Sequence, residues 1–143
     1  MPGQSAGLSH VQGFVAGATL EEIGVEHNTY DIIWGVNAIH VATDLKFTLK
    51  ELYKILKPGG TLLIAETVRS SDGPMIQHEF VINTLDDYWN VKLDKEWRPN
   101  CGFMKWTDWL KALEAAGFDV YETVPNMKEV EKELTCVQLI GMK

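Results

Sequence analysis

The stretch YDIIWGVNAIH climbs through apolar residues from Tyr30 and stops on the imidazole of His40. With an ordinary pKa of about 6.5, a histidine can take up a proton near neutral pH, so at the rim of a crevice it is a candidate general base. At a strand end it is equally a residue that hydrogen bonding satisfies in place, and the residue types alone leave both readings open. The other histidines offer less. His10 lies in the N-terminal tail and His27 in the polar loop VEHNT, so both read as surface groups. His78 sits beside Glu79 with no second histidine at helical ligand spacing, and no metal site is predicted. Cys101 and Cys136 are far apart and in no C-x-x-C spacing, which reads as two reduced structural thiols of a cytoplasmic protein.

The elements that must position His40 can be read along the chain. VQGFVAGATL (Val11 to Leu20) is a weak strand followed by a turn, and DIIWGVNA (Asp31 to Ala38) is nearly continuous apolar, as suits a strand covered on both faces. TDLKFTLKELYKILKPGG is the strongest helix: Thr43 or Asp44 caps it, Leu45, Leu49, Leu52 and Leu56 recur at helical spacing, and Lys54 and Lys57 occupy its last turn. Pro58, Gly59 and Gly60 then stop it. TLLIAETV (Thr61 to Val68) follows as a second buried strand, parallel to the first. Met75 to Asn90 reads as a helix with Ile76, Phe80 and Leu85 near one side; KWTDWLKALEAAGF reads as another, capped by Thr107 and closed by Gly117. FDVYETVP and TCVQLIGM, joined by the charged NMKEVEKEL, form an antiparallel pair at a sheet edge. Strands and helices in alternation predict an α/β layered fold.

The 143 residues allow one domain, spanning 1–143, with a sizeable core. A net charge of −7, from 13 basic and 20 acidic residues, gives no general attraction to nucleic acid or anionic lipid. No apolar run approaches the roughly 20 residues that span a bilayer, and the first residues lack the apolar core of a signal peptide, so no membrane partner and a cytoplasmic location are expected. Disorder is expected over residues 1–9 and in SSDGP (Ser70 to Pro74), where turn formers cluster.

The segment YDIIWGVNAIHVATDLKFTLKELYKILKPGGTLLIAET resembles the back half of a class I S-adenosylmethionine-dependent methyltransferase, as does LEAAGF followed by a strand. More narrowly, N-x-x-H-x-x-x-x-L, then E-T closing the next strand, then Trp97, Arg98 and Pro99, is similar to the C-methyltransferase domains of polyketide synthases. That resemblance implies a partial Rossmann-like sheet, parallel strands plus a C-terminal antiparallel hairpin, without the family's first strands. It implies methylation of a carbon α to a carbonyl, on a small-molecule or carrier-bound acyl substrate, with S-adenosyl-L-methionine as donor. It also implies a His–Glu dyad, whose positions fall on His40 and Glu66, 26 residues apart. Both would lie at the C-terminal ends of adjacent parallel strands, where open α/β sheets place their crevice. The carboxylate would fix the imidazole's tautomer and stabilise the imidazolium, and the resulting enolate would attack the donor's methyl group. A glutamate ending a strand is otherwise a solvated group or a lysine's partner. Trp89, Trp97, Trp106 and Trp109 either lid the substrate side, as in the family, or pack the helix onto the sheet.

The same resemblance assigns cofactor contacts to Ala18, Thr19, Gly35 and Asn37, while the family's glycine-rich loop has no counterpart and Gly17 stands where its adenine-side acid is expected. Without the family's first strand, DIIWGV would carry an unpaired, apolar edge. The N-terminal segment folding back, a homodimer, or a partner chain would cover it; the chain as a piece of a longer protein is the further possibility. Three functions therefore compete: a methyltransferase that keeps its base but needs a partner for the donor, a non-catalytic remnant serving as a structural or protein-binding module, and an unrelated small-ligand domain resting on fold analogy alone.

Overall fold

The computed structural model describes residues 19–69, 77–82, 84, 86–130 and 136–143. The weak strand at Val11 to Leu20 falls almost wholly outside these residues, as do residues 1–9 and Ser70 to Pro74. Four strands make one sheet: β1 (Tyr30–Val36), β2 (Leu56–Thr67), β3 (Asp119–Val124) and β4 (Cys136–Met142), in the order β1-β2-β4-β3. The first pair is parallel, with Trp34 opposite Leu63 and Val36 opposite Ala65. β4 runs antiparallel to both β2 and β3, which puts the C-terminal hairpin's outer strand at the sheet edge. The expected α/β architecture is present: parallel strands joined through a helix, closed by an antiparallel pair.

Helix α1 (Leu45–Ile55) starts where the Phe47 amide donates to Asp44 Oδ1 at 2.9 Å. Leu45, Leu49 and Leu52 turn inward from it, and each such burial contributes roughly 1.5–3 kcal/mol. Glu51 on the same helix is buried too, taking the Leu20 amide at 3.0 Å and the Lys54 ammonium. Helix α3 (Trp106–Ala116) adds Trp109, Ala112 and Leu113 to a single core that includes Leu62, Ile64, Val137 and Leu139 from the sheet. α3 ends at Gly117, whose φ of 105° reverses the chain without side-chain strain.

Three local expectations change. The helix stops at Ile55, and Leu56 to Gly60 already belong to β2, because Leu56 pairs with Tyr30 and the C-terminal Lys143 exchanges backbone bonds with Gly59 and Gly60 at 2.8 and 3.0 Å. Gly59, at φ 78°, makes the irregularity between the Tyr30 and Ile32 pairings, and Lys57 consequently bridges Asp31 at 2.8 Å instead of facing a helix end. Thr107 does not cap α3: the cap position is Lys105, and Thr107 is already the helix's second residue. Where a single helix is expected from Met75 to Asn90, the described residues form α2 (Gln77–Ile82) and a 3-10 turn at Asp86–Trp89, Phe80 faces solvent rather than a core, and Ile76 and Leu85 lie outside the described residues.

β1 is the other edge among the described strands. Its side chains on one face, Ile32, Trp34 and Val36, are 62%, 70% and 56% exposed. The expectation of an apolar edge strand therefore holds for the described residues.

Candidate active site

Leu62, Ile64 and Glu66 are buried on one side of β2's alternation and Val68, just past its end, is buried too, so Glu66 is a carboxylate set in an apolar row. Such a group must be satisfied locally. β1 ends at Val36, and Asn37, with φ 46°, bends the chain sharply while its amide still reaches Ala65 O at 2.7 Å. The bend lets successive amides converge: Ala38, Ile39 and His40 N–H donate to Glu66 Oε1 at 3.2, 2.9 and 3.4 Å. His40 is therefore not the last residue of the strand but the middle of a single 3-10 turn, Ile39–Val41. Its Nδ1 lies 2.7 Å from Glu66 Oε2, and the two side chains are 3% and 0% exposed. With the carboxylate ionised, Nδ1 carries the proton and donates it, which leaves the lone pair on Nε2.

A second polar cluster abuts the imidazole. The Phe103 ring lies 4.9 Å from that of His40. Phe103's amide donates to Glu79 Oε1 at 3.1 Å, which also accepts from Arg69 Nη2 at 2.6 Å and from the Tyr88 hydroxyl at 3.3 Å. Burial, and then the neighbouring Glu79 charge, push the Tyr88 phenol up to about 12, so it stays a hydrogen-bond donor at all ordinary pH. Gly102 precedes Phe103 at φ 84°, and a Cβ there would sit 2.7 Å from the Tyr88 oxygen. Arg98, completely buried, donates from Nη2 to His40 O at 2.6 Å and from Nη1 to Ala42 O at 3.0 Å. Neither Glu79 nor Arg98 has a spacing signal that marks it in the sequence; the only hint at Arg98 is its place beside Trp97 and Pro99.

The residues expected to touch the donor are placed less favourably. Ala18 lies outside the described residues. Thr19 forms a reciprocal cap with Glu22, its amide donating to Oε2 at 2.8 Å and its Oγ1 accepting the Glu22 amide at 3.2 Å. Gly35 is explained by packing, since a Cβ there would meet Ile39 Cδ1 at 2.7 Å. Asn37 is exposed at the β1 corner, where its Oδ1 takes the Thr67 amide at 3.4 Å. His40 and Glu66 are thus brought together, whereas Thr19 bonds to Glu22, Gly35 packs against Ile39 and Asn37 bonds to Thr67. Among the described residues, the buried polar atoms left without partners belong to Glu79, Arg98, Trp106 and Trp109, none of them at the β1 corner. Trp97, Trp106 and Trp109 are buried core residues, as packing requires, while Trp89 is about half exposed. Among the described residues, no group of three or more His, Cys, Asp or Glu could hold a metal ion, and no helix is long and apolar enough to cross a membrane.

Comparison with known proteins bears on the fold. A family model described as a methyltransferase domain matches residues 4–64. The hybrid PKS-NRPS synthetase mpsA of Macrophomina phaseolina is 31% identical over 108 residues, covering 75% of this chain and 3% of the synthetase. The solved CurJ carbon methyltransferase is 26% identical with a TM-score of 0.74, over 90% of this chain and 33% of that one. The trans-methyltransferase CalH, solved in complex with SAH, shares the fold at a TM-score of 0.71 and 20% identity, over 90% of this chain and 34% of its own. The chain therefore spans about a third of these solved methyltransferases and a small fraction of the synthetase. It carries part of a class I S-adenosylmethionine-dependent methyltransferase fold and, within that class, resembles the carbon methyltransferase domains of polyketide synthases.

Proposed function

We propose that the chain supplies the proton-abstracting part of a carbon methyltransferase site. His40 Nε2 takes a proton from a carbon α to the carbonyl of an acyl substrate, free or carrier-bound. Glu66 holds the Nδ1–H tautomer and stabilises the imidazolium that forms. The observation that carries this reading is the buried 2.7 Å contact between His40 Nδ1 and Glu66 Oε2, at the end of two parallel strands. A base so placed is useful only if its free nitrogen faces substrate, and β-ketoacyl thioesters have α-protons acidic enough for an imidazole to remove.

S-adenosyl-L-methionine supplies the electrophilic methyl group in this reading, held chiefly by residues beyond those described here. The exposed edge and apolar face of β1 support a second proposal, that a strand from another copy of this chain or from a partner chain adds there and completes the site.

The decisive experiment needs no methyl donor. The chain is incubated with a small β-ketoacyl thioester in deuterated buffer, and α-carbon exchange above the uncatalysed rate is followed by mass spectrometry. Exchange that disappears in His40→Ala supports the base; wild-type and His40→Ala rates equal to background remove it. A non-catalytic remnant is the second reading, motivated by Gly17 standing where the family's adenine-side acid is expected, and it requires that second outcome. Titration calorimetry with S-adenosyl-L-methionine separately asks whether the chain holds the donor: heat absent at millimolar ligand means a partner is needed. Light scattering on size-exclusion eluate tests the edge proposal, and a monomer throughout the micromolar range rules out the homodimer.

A further inference from the structure

Arg98 is the most buried charge in the described chain, and among the described residues no carboxylate lies within ion-pairing distance of it. Taking a guanidinium out of water costs several kcal/mol unless its N–H groups are bonded. Here two carbonyls, His40 O and Ala42 O, are its acceptors, and Nε has none. Its own backbone is fixed by paired bonds with Asp94, both 2.9 Å. An apolar side chain would fill the space at lower cost, so the charge needs a reason.

The reason is visible in what it holds. The Ile39–Val41 turn lies between two buried charges: its leading amides point at the Glu66 carboxylate, and its trailing carbonyls point at the Arg98 guanidinium. The turn's peptide dipoles thereby link an anion and a cation that do not touch. His40 is the residue gripped from both sides, by its amide and its Nδ1 on Glu66 and by its carbonyl on Arg98. We propose that Arg98 is a positioning residue for the imidazole: it anchors the carbonyl side of the turn, and so keeps Nδ1 on Glu66 and Nε2 free to act as the base. The proposal rests on the reading of His40 as that base for its function, but its structural content is open to test without any activity.

The test compares the wild-type chain with Arg98→Lys and Arg98→Met. An ammonium can engage one of the two carbonyls, and a thioether neither. Nitrogen-15 NMR of the His40 ring reads which nitrogen carries the proton. The wild type is expected to be mainly the Nδ1–H tautomer, Arg98→Met to show a substantial Nε2–H population, and Arg98→Lys to fall between. In the α-exchange assay the Met variant is expected to lose on the order of a hundredfold in turnover with KM changed less than twofold, as suits a misplaced base rather than a lost contact to substrate. A His40 tautomer ratio in Arg98→Met identical to wild type would overturn the proposal. Should that variant fail to fold, Arg98→Lys decides in its place, and an unaltered ratio there overturns it equally. A shifted ratio in a chain with no α-exchange keeps Arg98's role and removes the base reading; His40-dependent exchange with an unshifted ratio does the reverse.

Discussion

Gly102 and Gly24 offer a matched pair of perturbations. Both have left-handed backbones, at φ 84° and φ 85°, so replacing either by alanine costs the same conformational penalty, about 1 kcal/mol. Their surroundings differ completely. A Cβ on Gly24 meets nothing within 4 Å, whereas one on Gly102 overlaps Glu79 Oε1 and lies 2.7 Å from the Tyr88 oxygen. The overlapped atom is the end of a side chain, which usually swings aside cheaply, but this one is buried and accepts from Arg69, Tyr88 and Phe103. Displacing it breaks two or more bonds to a buried carboxylate, at about 1.5 kcal/mol each. Gly102→Ala is therefore expected to lose about 4 kcal/mol and Gly24→Ala about 1 kcal/mol. In urea titrations followed by circular dichroism, with a slope of about 2 kcal/mol per molar, the two midpoints should differ by about 1.5 M. Equal midpoints would refute the inference that the bonds from Arg69, Tyr88 and Phe103 hold the Glu79 carboxylate in place.

Glu66→Gln keeps an acceptor for the three amides but presents N–H to the imidazole; it should reverse the His40 tautomer in nitrogen-15 spectra and abolish α-exchange, at a stability cost of about 2 kcal/mol. Tyr88, raised to about 12, should appear as a late component in the phenolate absorbance on alkaline titration, absent from Tyr88→Phe. Because its neutral form is the one favoured on folding, the stability it confers is whole below 10.0 and gone once the pH passes about 12. Asp44 and Glu51 behave in the opposite sense. Burial opposes their ionisation, but the Phe47 amide with Lys92, and Lys54 with the Leu20 amide, outweigh it and hold both below their ordinary values of 3.8 and 4.5. Their contribution is present above those values and lost as the pH falls through the lowered ones, so Asp44→Asn should lose about 1 kcal/mol at pH 7 and show a shallower decline in urea midpoint toward acid. Trp34→Glu should leave the unfolding midpoint within about 0.5 kcal/mol of wild type while suppressing any self-association seen by light scattering, since the wild-type side chain is 70% exposed.

Periodicity made the frame legible. The leucines of α1 and the apolar runs of β1 and β2 located their elements, and the alternating order implied the parallel pair, but β1, read as covered on both faces, exposes Ile32, Trp34 and Val36 on one of them among the described residues. Boundaries were less legible where long-range partners decide them: Leu56 and Lys57 read as the end of the helix and Pro58 to Gly60 as its stop, yet Tyr30 and Lys143, distant in sequence, draw them into the sheet. Thr107 failed as a cap because the start of α3 is set by Trp106 and Trp109 entering the core, not by a local hydroxyl. At the candidate site, His40 and Glu66 could be paired through resemblance, and the glutamate's place in the L-x-I-x-E-x-V row was a physical clue of its own. Arg98, Glu79 and Phe103 come from the segment after β2, whose path no spacing rule encodes, so their approach to His40 was not readable.

The three amides on Glu66 carry a warning for anyone sorting natural homologues into active and silent forms. That carboxylate closes off the end of a strand and the turn beyond it, so a descendant that had abandoned chemistry would still be selected to keep it. Retention of the acid therefore does not by itself report on chemistry. The imidazole bears no comparable architectural duty through its ring's far nitrogen, and drift at position 40 is where a change of occupation would first become visible.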